Sequence, residues 1–381
     1  MITLNTKLPR VGTTIFTVMS GLAREHNAIN LSQGFPDFAC SPKLAELATH
    51  YIKSGFNQYA PMPGTLALRE RIAEIVSTCY ETTYNVEHEI TVTAGATQAM
   101  YTALAAVVRP GDEVIVFEPA YDCYIPAIEI HGGIAVISEL DANNFSINWQ
   151  DVRSKISEKT RAIVINSPHN PTGTIISAKD LSELEALVKN KNILVISDEV
   201  YEHMVFDEQK HVSLCRSKVL REQSLVISSF GKTIHTTGWK IGYVLASPEI
   251  TAEFRKVHQF NVFVVNHPLQ LAIADFLADK QNYLGLAAFY EEKRDLFLAL
   301  TSTCRLKPLP CRGTYFQMMS YEQISDEKDT DLAVRLTKEK KVAAIPLSAF
   351  YSEKMEKKLL RFCFAKKKET LEAAAEILCK L

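Results

Sequence analysis

The chain has 381 residues, the length of one large domain or two coupled domains, which excludes a disulfide-stabilised miniprotein. Hydrophobic residues make up 47% and charged residues 23% of it, a composition that excludes a largely disordered protein. With 42 basic and 44 acidic residues, the net charge of −2 gives no overall attraction for nucleic acid or an anionic membrane. Any anionic ligand must therefore be bound by local groups.

The eight cysteines are scattered singly and contain no Cys-x-x-Cys pair. This spacing argues against a zinc ribbon or a secreted disulfide framework, and the scattered histidines argue against a metal site. The first residues do not have the pattern of a signal peptide, and no run of about 18 uninterrupted apolar residues occurs. We therefore expect a cytoplasmic protein that binds neither nucleic acid nor a membrane.

The central region of the chain predicts a parallel sheet. Helical periodicity occurs at 14–27, 95–108 and 180–188. Short apolar runs without polar alternation indicate buried strands, and strands of this kind joined by helices favour an α/β fold with a mostly parallel sheet covered on both faces. The predicted strands are 90–93, 113–117, 135–139, 161–165, 193–197 and 225–228.

The pattern changes near residue 280. Helical segments at 290–300, 331–340 and from 369 alternate with strands at 313–319 and 359–364, which predicts a smaller α+β domain. We interpret residues 1–45 as an N-terminal arm that packs with this small domain, residues 46–280 as the large domain and residues 281–381 as the small domain.

Several common motifs are missing from the sequence. Gly231-Lys232-Thr233 looks like the end of a phosphate-binding P-loop, but that motif needs a glycine at 226, where the chain has Val226. No strand is followed by Gly-x-Gly-x-x-Gly, and neither His-Glu-x-x-His nor Gly-x-Ser-x-Gly occurs. Dinucleotide, zinc-protease and serine-hydrolase functions therefore lose their strongest support.

Polar residues follow four of the predicted strands, at the edge of the sheet where α/β enzymes bind ligands. These segments are TAGATQ at 93–98, INSPHNPTG at 165–173, VISDEVY at 195–201, and SSFGK at 228–232 with TGWKIG at 237–242. In this order and spacing they resemble the class I aminotransferases of fold type I, which use pyridoxal 5'-phosphate. Residues 30–37, 57–64, 118–124 and 361–364 look like the methionine and kynurenine aminotransferase branch, so the resemblance covers nearly the whole chain.

The resemblance assigns the catalytic chemistry to three residues. Lys232 is the primary amine that would bind the cofactor covalently, release it to the substrate and then carry a proton from the substrate Cα. Asp198 would face the pyridine nitrogen of the cofactor, and the large domain would be the cofactor-binding domain. Tyr201 and Asn170 would both bind the phenolic oxygen of the cofactor.

The resemblance also assigns a phosphate site and a ring-stacking residue. A helix start with free N–H groups suits an anion, and Tyr121 would stack on the cofactor ring. Lys240 stands where the commoner pattern has an arginine. The positive charge there is therefore on a compact ammonium group rather than on a planar guanidinium. The implied phosphate ligands are Gly95, Ala96, Thr97, Ser229 and Lys240.

For the substrate, the resemblance implies a guanidinium that grips the α-carboxylate. Arg361 has that role, assisted by the backbone of Gly34 and the side chain of Asn170. An apolar side-chain pocket would have Phe16 and Tyr121 among its walls, with Ile15, Phe35, Tyr59 and Phe263 as further candidates. Tyr59 would reach the cofactor phosphate of the neighbouring subunit in a homodimer.

The expected reaction is a ping-pong transamination, in which an apolar or aromatic L-amino acid such as methionine gives its amino group to the cofactor and a 2-oxo acid collects it. Two alternatives remain open at this point. A β-lyase that cleaves cysteine S-conjugates would begin with the same Cα deprotonation. A non-catalytic regulator built on the same fold would take up no cofactor.

Overall fold

A seven-stranded sheet forms the centre of the computed structural model, which describes residues 5–353 and 355–381. The strands, in chain order, are β1 (Ile29–Asn30), β2 (Ile90–Thr93), β3 (Glu113–Glu118), β4 (Ile134–Glu139), β5 (Thr160–Asn166), β6 (Leu194–Asp198), β7 (Ser224–Ser229), β8 (Gly242–Ala246), β9 (Lys307–Pro308), β10 (Phe316–Ser320), β11 (Val342–Ala343), β12 (Ile345–Pro346) and β13 (Leu359–Cys363).

Helices cover the sheet and connect its strands. They are α1 (Ile15–Glu25), α2 (Pro42–Lys53), α3 (Leu66–Tyr80), α4 (Ala96–Val107), α5 (Tyr124–Ile130), α6 (Trp149–Lys155), α7 (Ala178–Val188), α8 (Lys218–Glu222), α9 (Phe230–Thr233), α10 (Pro248–Asn261), α11 (His267–Phe276), α12 (Gln281–Leu284), α13 (Leu286–Leu300), α14 (Asp329–Arg335) and α15 (Lys368–Leu378). Short 3-10 turns occur at Leu214–Arg216, Thr237–Trp239 and Leu347–Phe350, and a π-helical turn follows α14 at Leu336–Lys340.

The order of the central sheet is β2-β8-β7-β6-β5-β3-β4. Only β8 runs antiparallel to its neighbours, so the prediction of an α/β fold with a mostly parallel sheet is confirmed. Each of the six predicted central strands is present within two residues of its expected bounds. The strand β8 was not predicted from the sequence; it begins at Gly242, the last residue of the polar segment at 237–242, and all five of its residues are buried.

Local sequence explains why the elements begin where they do. Ser177 and Asp180 form a reciprocal capping box at the start of α7, which satisfies two backbone N–H groups. Thr14 caps α1 by accepting a hydrogen bond from the backbone N–H of Thr17. In β5 six of the seven residues are buried, as expected of a parallel strand covered on both faces.

A second sheet of four antiparallel strands, in the order β12-β13-β10-β9, is built from residues after 306. The N-terminal segment joins this region, because β1 pairs in parallel with β11 and the N–H of Cys363 donates to the carbonyl of Leu31. The boundaries at residues 45 and 280 stay predictions. Residues 1–4 of the predicted arm lie outside the described residues.

Two of the eight cysteines form a disulfide. Cys304 follows α13 and Cys379 follows α15, and the bond closes a separation of 75 residues. Their spacing in the sequence gave no indication of a pair, because the ends of the two helices that they follow come together only through tertiary packing. The other cysteines, at 40, 79, 123, 215, 311 and 363, are free.

In the described part of the chain no helix is long and apolar enough to cross a membrane. The same residues contain no group of three or more His, Cys, Asp or Glu side chains that could hold a metal ion.

Gly64 has both a positive φ, +103°, and too little space for a side chain, since a Cβ there would lie 2.3 Å from Cγ2 of Val92. We expect Gly64→Ala to lower the free energy of unfolding by about 1–3 kcal/mol more than Gly55→Ala, which shares the positive φ but has open space. Chemical denaturation of both variants at one protein concentration measures the difference. Equal losses would contradict the steric argument.

Candidate active site

A cavity of about 380 Å³ lies at the carboxyl ends of β5, β6 and β7. Asn166 at the end of β5 is in register with Asp198 at the end of β6, and Ser229 ends β7. Because the three strands are parallel, their last residues share one edge of the sheet. The predicted site residues that line the cavity are Phe16, Gly34, Ala96, Thr97, Tyr121, Asn170, Asp198, Tyr201, Ser229, Lys232, Lys240 and Arg361.

Lys232 lies on α9, a single helical turn that directly follows β7. Its Nζ donates to Oη of Tyr315 at 2.9 Å and to the carbonyl oxygen of Gly34 at 3.3 Å. The pKa of Lys232 is lowered from 10.5 to about 8, chiefly by burial, with a contribution in the same direction from the nearby cations Lys240 and Arg361. An amine with this pKa can serve as a nucleophile or a base near neutral pH.

Asp198 is a buried carboxylate at the end of β6. Its Oδ2 accepts a hydrogen bond of 2.7 Å from Oη of Tyr124, and its Oδ1 accepts one from the N–H of Val200. Burial raises the pKa of Asp198, whereas these two donors act in the opposite direction. The site therefore holds an acidic group at the floor of the cavity, supported by a phenol.

One end of the cavity is suited to an anion. The helix α4 starts after Gly95, whose φ of +80° turns the chain, and the first N–H groups of a helix have no intrahelical partners. The ammonium of Lys240 lies close to this helix start, since a Cβ on Gly95 would be 3.4 Å from Nζ of Lys240. Ala96, Thr97 and Ser229 line the same part of the wall.

The cavity also contains the guanidinium of Arg361, which is buried at the middle of β13. Its Nη1 donates to Oδ1 of Asn170 at 2.7 Å, and its Nη2 donates to the carbonyl of Ser32 at 2.8 Å. Burial lowers its pKa to about 10, which leaves it charged at neutral pH. The buried Nε has no hydrogen-bond partner among the described residues, and such an unpaired donor is costly unless a ligand meets it.

Aromatic rings surround this guanidinium. The Cζ of Arg361 lies 3.8 Å from the ring centre of Phe316 and 5.3 Å from that of Phe16. Phe16 in turn lies 6.4 Å from Tyr121, measured between ring centres, so the wall beside Arg361 is apolar. Gly34 fits here only without a side chain, because a Cβ would lie 2.7 Å from Cζ of Phe316.

Tyr201 lines the cavity, and its ring is edge-on to that of Tyr315, with 5.2 Å between the ring centres. Burial raises the pKa of the Tyr201 hydroxyl, so it is a proton donor throughout the neutral range. Tyr59 lies outside the cavity. It is 78% exposed and contacts Phe263, with ring centres 5.2 Å apart.

Residues 26–378 match the family model described as aminotransferase class I and II. The chain belongs to this family. Enzymes of the class depend on pyridoxal phosphate, and the chain is an aminotransferase.

The methionine aminotransferase of Escherichia coli K12 is 50% identical over 376 residues, which cover 98% of this chain and 97% of that protein. A kynurenine–oxoglutarate transaminase of Dictyostelium discoideum is 34% identical over 97% of this chain and 94% of its own length. The solved structure of YbdL from E. coli, described as having a methionine aminotransferase function, superposes with a TM-score of 0.98, with 48% identity and full coverage of both chains. The predicted family, its branch and the fold class are thereby confirmed.

Two tyrosines that contact predicted site residues were not predicted from the sequence as functional candidates. Tyr124 holds Asp198, and Tyr315 contacts Lys232. Both tyrosines lie inside segments that the sequence pattern already singles out, at 118–124 and 313–319. A tyrosine after a strand or at the start of one is most simply a core residue, so only the tertiary contacts distinguish these two.

The lowered pKa of Lys232 has a consequence for stability. Between pH 8 and 10.5 the unfolded chain binds a proton that the folded amine does not, so burying Lys232 costs free energy below pH 8 and progressively less above it. We expect cofactor-free Lys232→Met to be more stable than the wild type at pH 7, by up to about 3 kcal/mol. Denaturant unfolding from pH 7 to 10.5 should show this advantage shrinking. A difference that does not change with pH would contradict the lowered pKa.

Proposed function

We propose that this aminotransferase binds pyridoxal 5'-phosphate on Lys232 and moves the amino group of an apolar L-amino acid, with methionine favoured, to a 2-oxo acid. The observation that carries the proposal is that the Lys232 amine shares one cavity with the start of α4 and Lys240 and with the guanidinium of Arg361, and that the charges of both cations act on it. An amine that shares a cavity with two anion sites can meet a phosphorylated aldehyde and a substrate carboxylate together.

The residues present fit the cofactor. When bound, pyridoxal phosphate supplies an aldehyde that amines bind covalently and a ring that withdraws electrons from the substrate Cα. The phosphate would be held by the N–H groups at Ala96 and Thr97 with Ser229 and Lys240. Asp198 would accept from the pyridine nitrogen, with Tyr124 keeping its carboxylate oriented.

Two further residues would hold and orient the cofactor ring. Tyr201 would donate to the phenolic oxygen and Tyr121 would stack on the ring. Asn170 would have two roles. Its Oδ1 accepts from Arg361, and its amide nitrogen, which has no hydrogen-bond partner among the described residues, would donate to the phenolic oxygen of the cofactor. These assignments agree with the roles that the family resemblance implies.

Arg361 is suited to the α-carboxylate of the substrate. Its Nε has no hydrogen-bond partner in the part of the chain that the structure describes, and the plane of the guanidinium is fixed by the bonds to Asn170 and Ser32. A carboxylate that meets a fixed planar guanidinium is oriented as well as bound, which directs the Cα–H bond. The backbone of Gly34 would assist Arg361, as the resemblance implies. In the structure the carbonyl of Gly34 accepts from Lys232 and Tyr315, and the carbonyl of Ser32 accepts from Arg361.

The wall beside Arg361 favours an apolar side chain. Phe16, Tyr121 and Phe316 line it, and a thioether packs well against aromatic rings. The cations among the lining residues are Lys232, Lys240 and Arg361, all of which have other tasks, and Asp122 adds a negative charge. A donor with an acidic side chain therefore lacks a partner in this cavity.

The presence of one guanidinium for the substrate carboxylate also explains why donor and acceptor would react one after the other. Donor and acceptor both carry a carboxylate next to the reacting carbon, and both need Arg361. They must occupy the cavity in turn, which is the ping-pong order. Within each half-reaction Lys232, with a pKa of about 8, would move one proton between the substrate Cα and the aldehyde carbon of the cofactor, away from Cα for the donor and onto Cα for the acceptor.

We infer that the enzyme acts as a homodimer in which Tyr59 serves the neighbouring site. Tyr59 and Phe263 are exposed and their rings are in contact, and Phe260, three residues before Phe263 in the chain, is 89% exposed. Exposed aromatic clusters of this kind mark protein interfaces. A cytoplasmic location stays a prediction from the sequence.

Borohydride reduction followed by peptide mapping tests the covalent assignment. The pyridoxyl group should appear on Lys232 and on no other lysine, because Lys232 is a buried amine of lowered pKa in the cavity that also contains Lys240 and Arg361. Lys232→Ala should keep its fold by circular dichroism and lose at least about four orders of magnitude in kcat, since both the covalent carrier and the proton carrier are removed. A label on another lysine would overturn the assignment.

A panel of donors against several 2-oxo acids tests the substrate proposal. Methionine should give a higher kcat/KM than phenylalanine, histidine or kynurenine, and aspartate should fall at least about 100-fold below methionine because its second carboxylate has no cation to meet. Comparable values for aspartate would contradict the apolar pocket. Release of pyruvate and ammonia from a cysteine S-conjugate without an acceptor would identify a β-lyase instead.

A further inference from the structure

Tyr315 contacts the reactive amine and has no role in the function proposed above. Its side chain is fully buried just before β10, and its Oη lies 2.9 Å from Nζ of Lys232. The same hydroxyl donates to the carbonyl of Gly34. The ring is held in place by Tyr201 and Tyr290, whose ring centres lie 5.2 and 5.5 Å away.

The direction of these hydrogen bonds follows from counting protons. The hydroxyl of Tyr315 has one proton, which goes to the carbonyl of Gly34, so its oxygen can only accept from Lys232. A neutral amine has two N–H groups and one lone pair. Tyr315 and Gly34 take up both N–H groups, and the lone pair is left for the cavity.

We propose that Tyr315 is a positioning residue for Lys232, fixing the amine so that its lone pair faces the reacting carbon. This inference rests on the proposed function, because it assumes that the Lys232 amine is the group that reacts. The phenol acts through the lysine and needs no contact with the substrate.

The contact also affects the charge of the amine. A hydrogen bond to a charged ammonium is stronger than one to a neutral amine, so the Tyr315 oxygen stabilises the protonated form. This hydrogen bond acts against burial, which lowers the pKa of Lys232. It helps the amine to hold a proton after accepting it from one carbon and before delivering it to another. The titratable or charged groups that face Lys232 are Asp198, Tyr201, Lys240, Tyr315, Arg361 and Cys363.

Tyr315→Phe removes the hydroxyl and keeps the ring. Tyr290→Phe is a matched control, since Tyr290 is also buried beside Tyr315 but its hydroxyl has no hydrogen-bond partner within the described residues. In cofactor-free protein, the rate at which acetic anhydride labels Lys232 follows the neutral amine and can be read by mass spectrometry at each pH. The pH midpoint of Lys232 labelling should fall by about half a pH unit to one pH unit in Tyr315→Phe and should stay unchanged in Tyr290→Phe.

The holoenzyme gives a second measurement. In Tyr315→Phe the kcat for methionine should fall about 10- to 100-fold with KM within about threefold of the wild type, because Arg361 and its partners remain. The isotope effect of Cα-deuterated methionine on kcat should rise, since proton transfer becomes the slow step. Tyr290→Phe should match the wild type in all three quantities.

The proposal is overturned if the labelling midpoint and kcat of Tyr315→Phe match the wild type, or if Tyr290→Phe changes them equally, which would make the effect one of packing. Should Tyr315→Phe fail to fold, 3-fluorotyrosine at position 315 keeps the ring and weakens the acceptor, and a smaller shift in the same direction is expected. If wild-type protein carries no pyridoxyl group on Lys232 after reduction, the proposed function fails while the labelling shift still reports the contact.

Discussion

The site exists only when both ends of the chain dock on the central sheet. Lys232 comes from the sheet region, yet its amine is held by the carbonyl of Gly34 from one end and the hydroxyl of Tyr315 from the other. The same ends are tied together by the parallel pairing of β1 with β11 and by the bond from Arg361 to Ser32. A partly folded chain could form the sheet with its row of polar strand ends and still have no oriented amine.

One set of charges has two effects in this cavity. Lys240 and Arg361 provide the attraction for anions that a chain of net charge −2 does not provide as a whole. The same two cations, together with burial, disfavour a proton on Lys232. Recruiting anionic ligands and keeping an amine reactive therefore have a common electrostatic cause. Anions that bind there offset part of the repulsion, so the amine gains affinity for a proton as the ligands arrive.

The sequence was most informative where one residue type has few structural uses. The buried parallel strands could be predicted because they are apolar on both faces, and the segments around Asn170, Asp198 and Lys232 because turns and strand ends concentrate polar residues there. The antiparallel β8 was missed since its glycine-rich approach looks like a loop. The partners of the predicted residues were missed too. Tyr124 and Asp198 are 74 residues apart, and Tyr315 and Lys232 are 83 apart, separations that no local pattern can indicate.

The narrow space at Gly34 connects the two halves of the chemistry. The ring of Phe316 leaves no room for a Cβ there, and the same ring lies against the guanidinium of Arg361. The carbonyl of Gly34 belongs to the main chain, so no substitution can replace it directly. A side chain at position 34 would displace Phe316 and shift that carbonyl together, disturbing carboxylate binding and amine orientation in one step. Substitutions at positions 34, 316 and 361 are thus coupled, and their effects on turnover should be strongly non-additive.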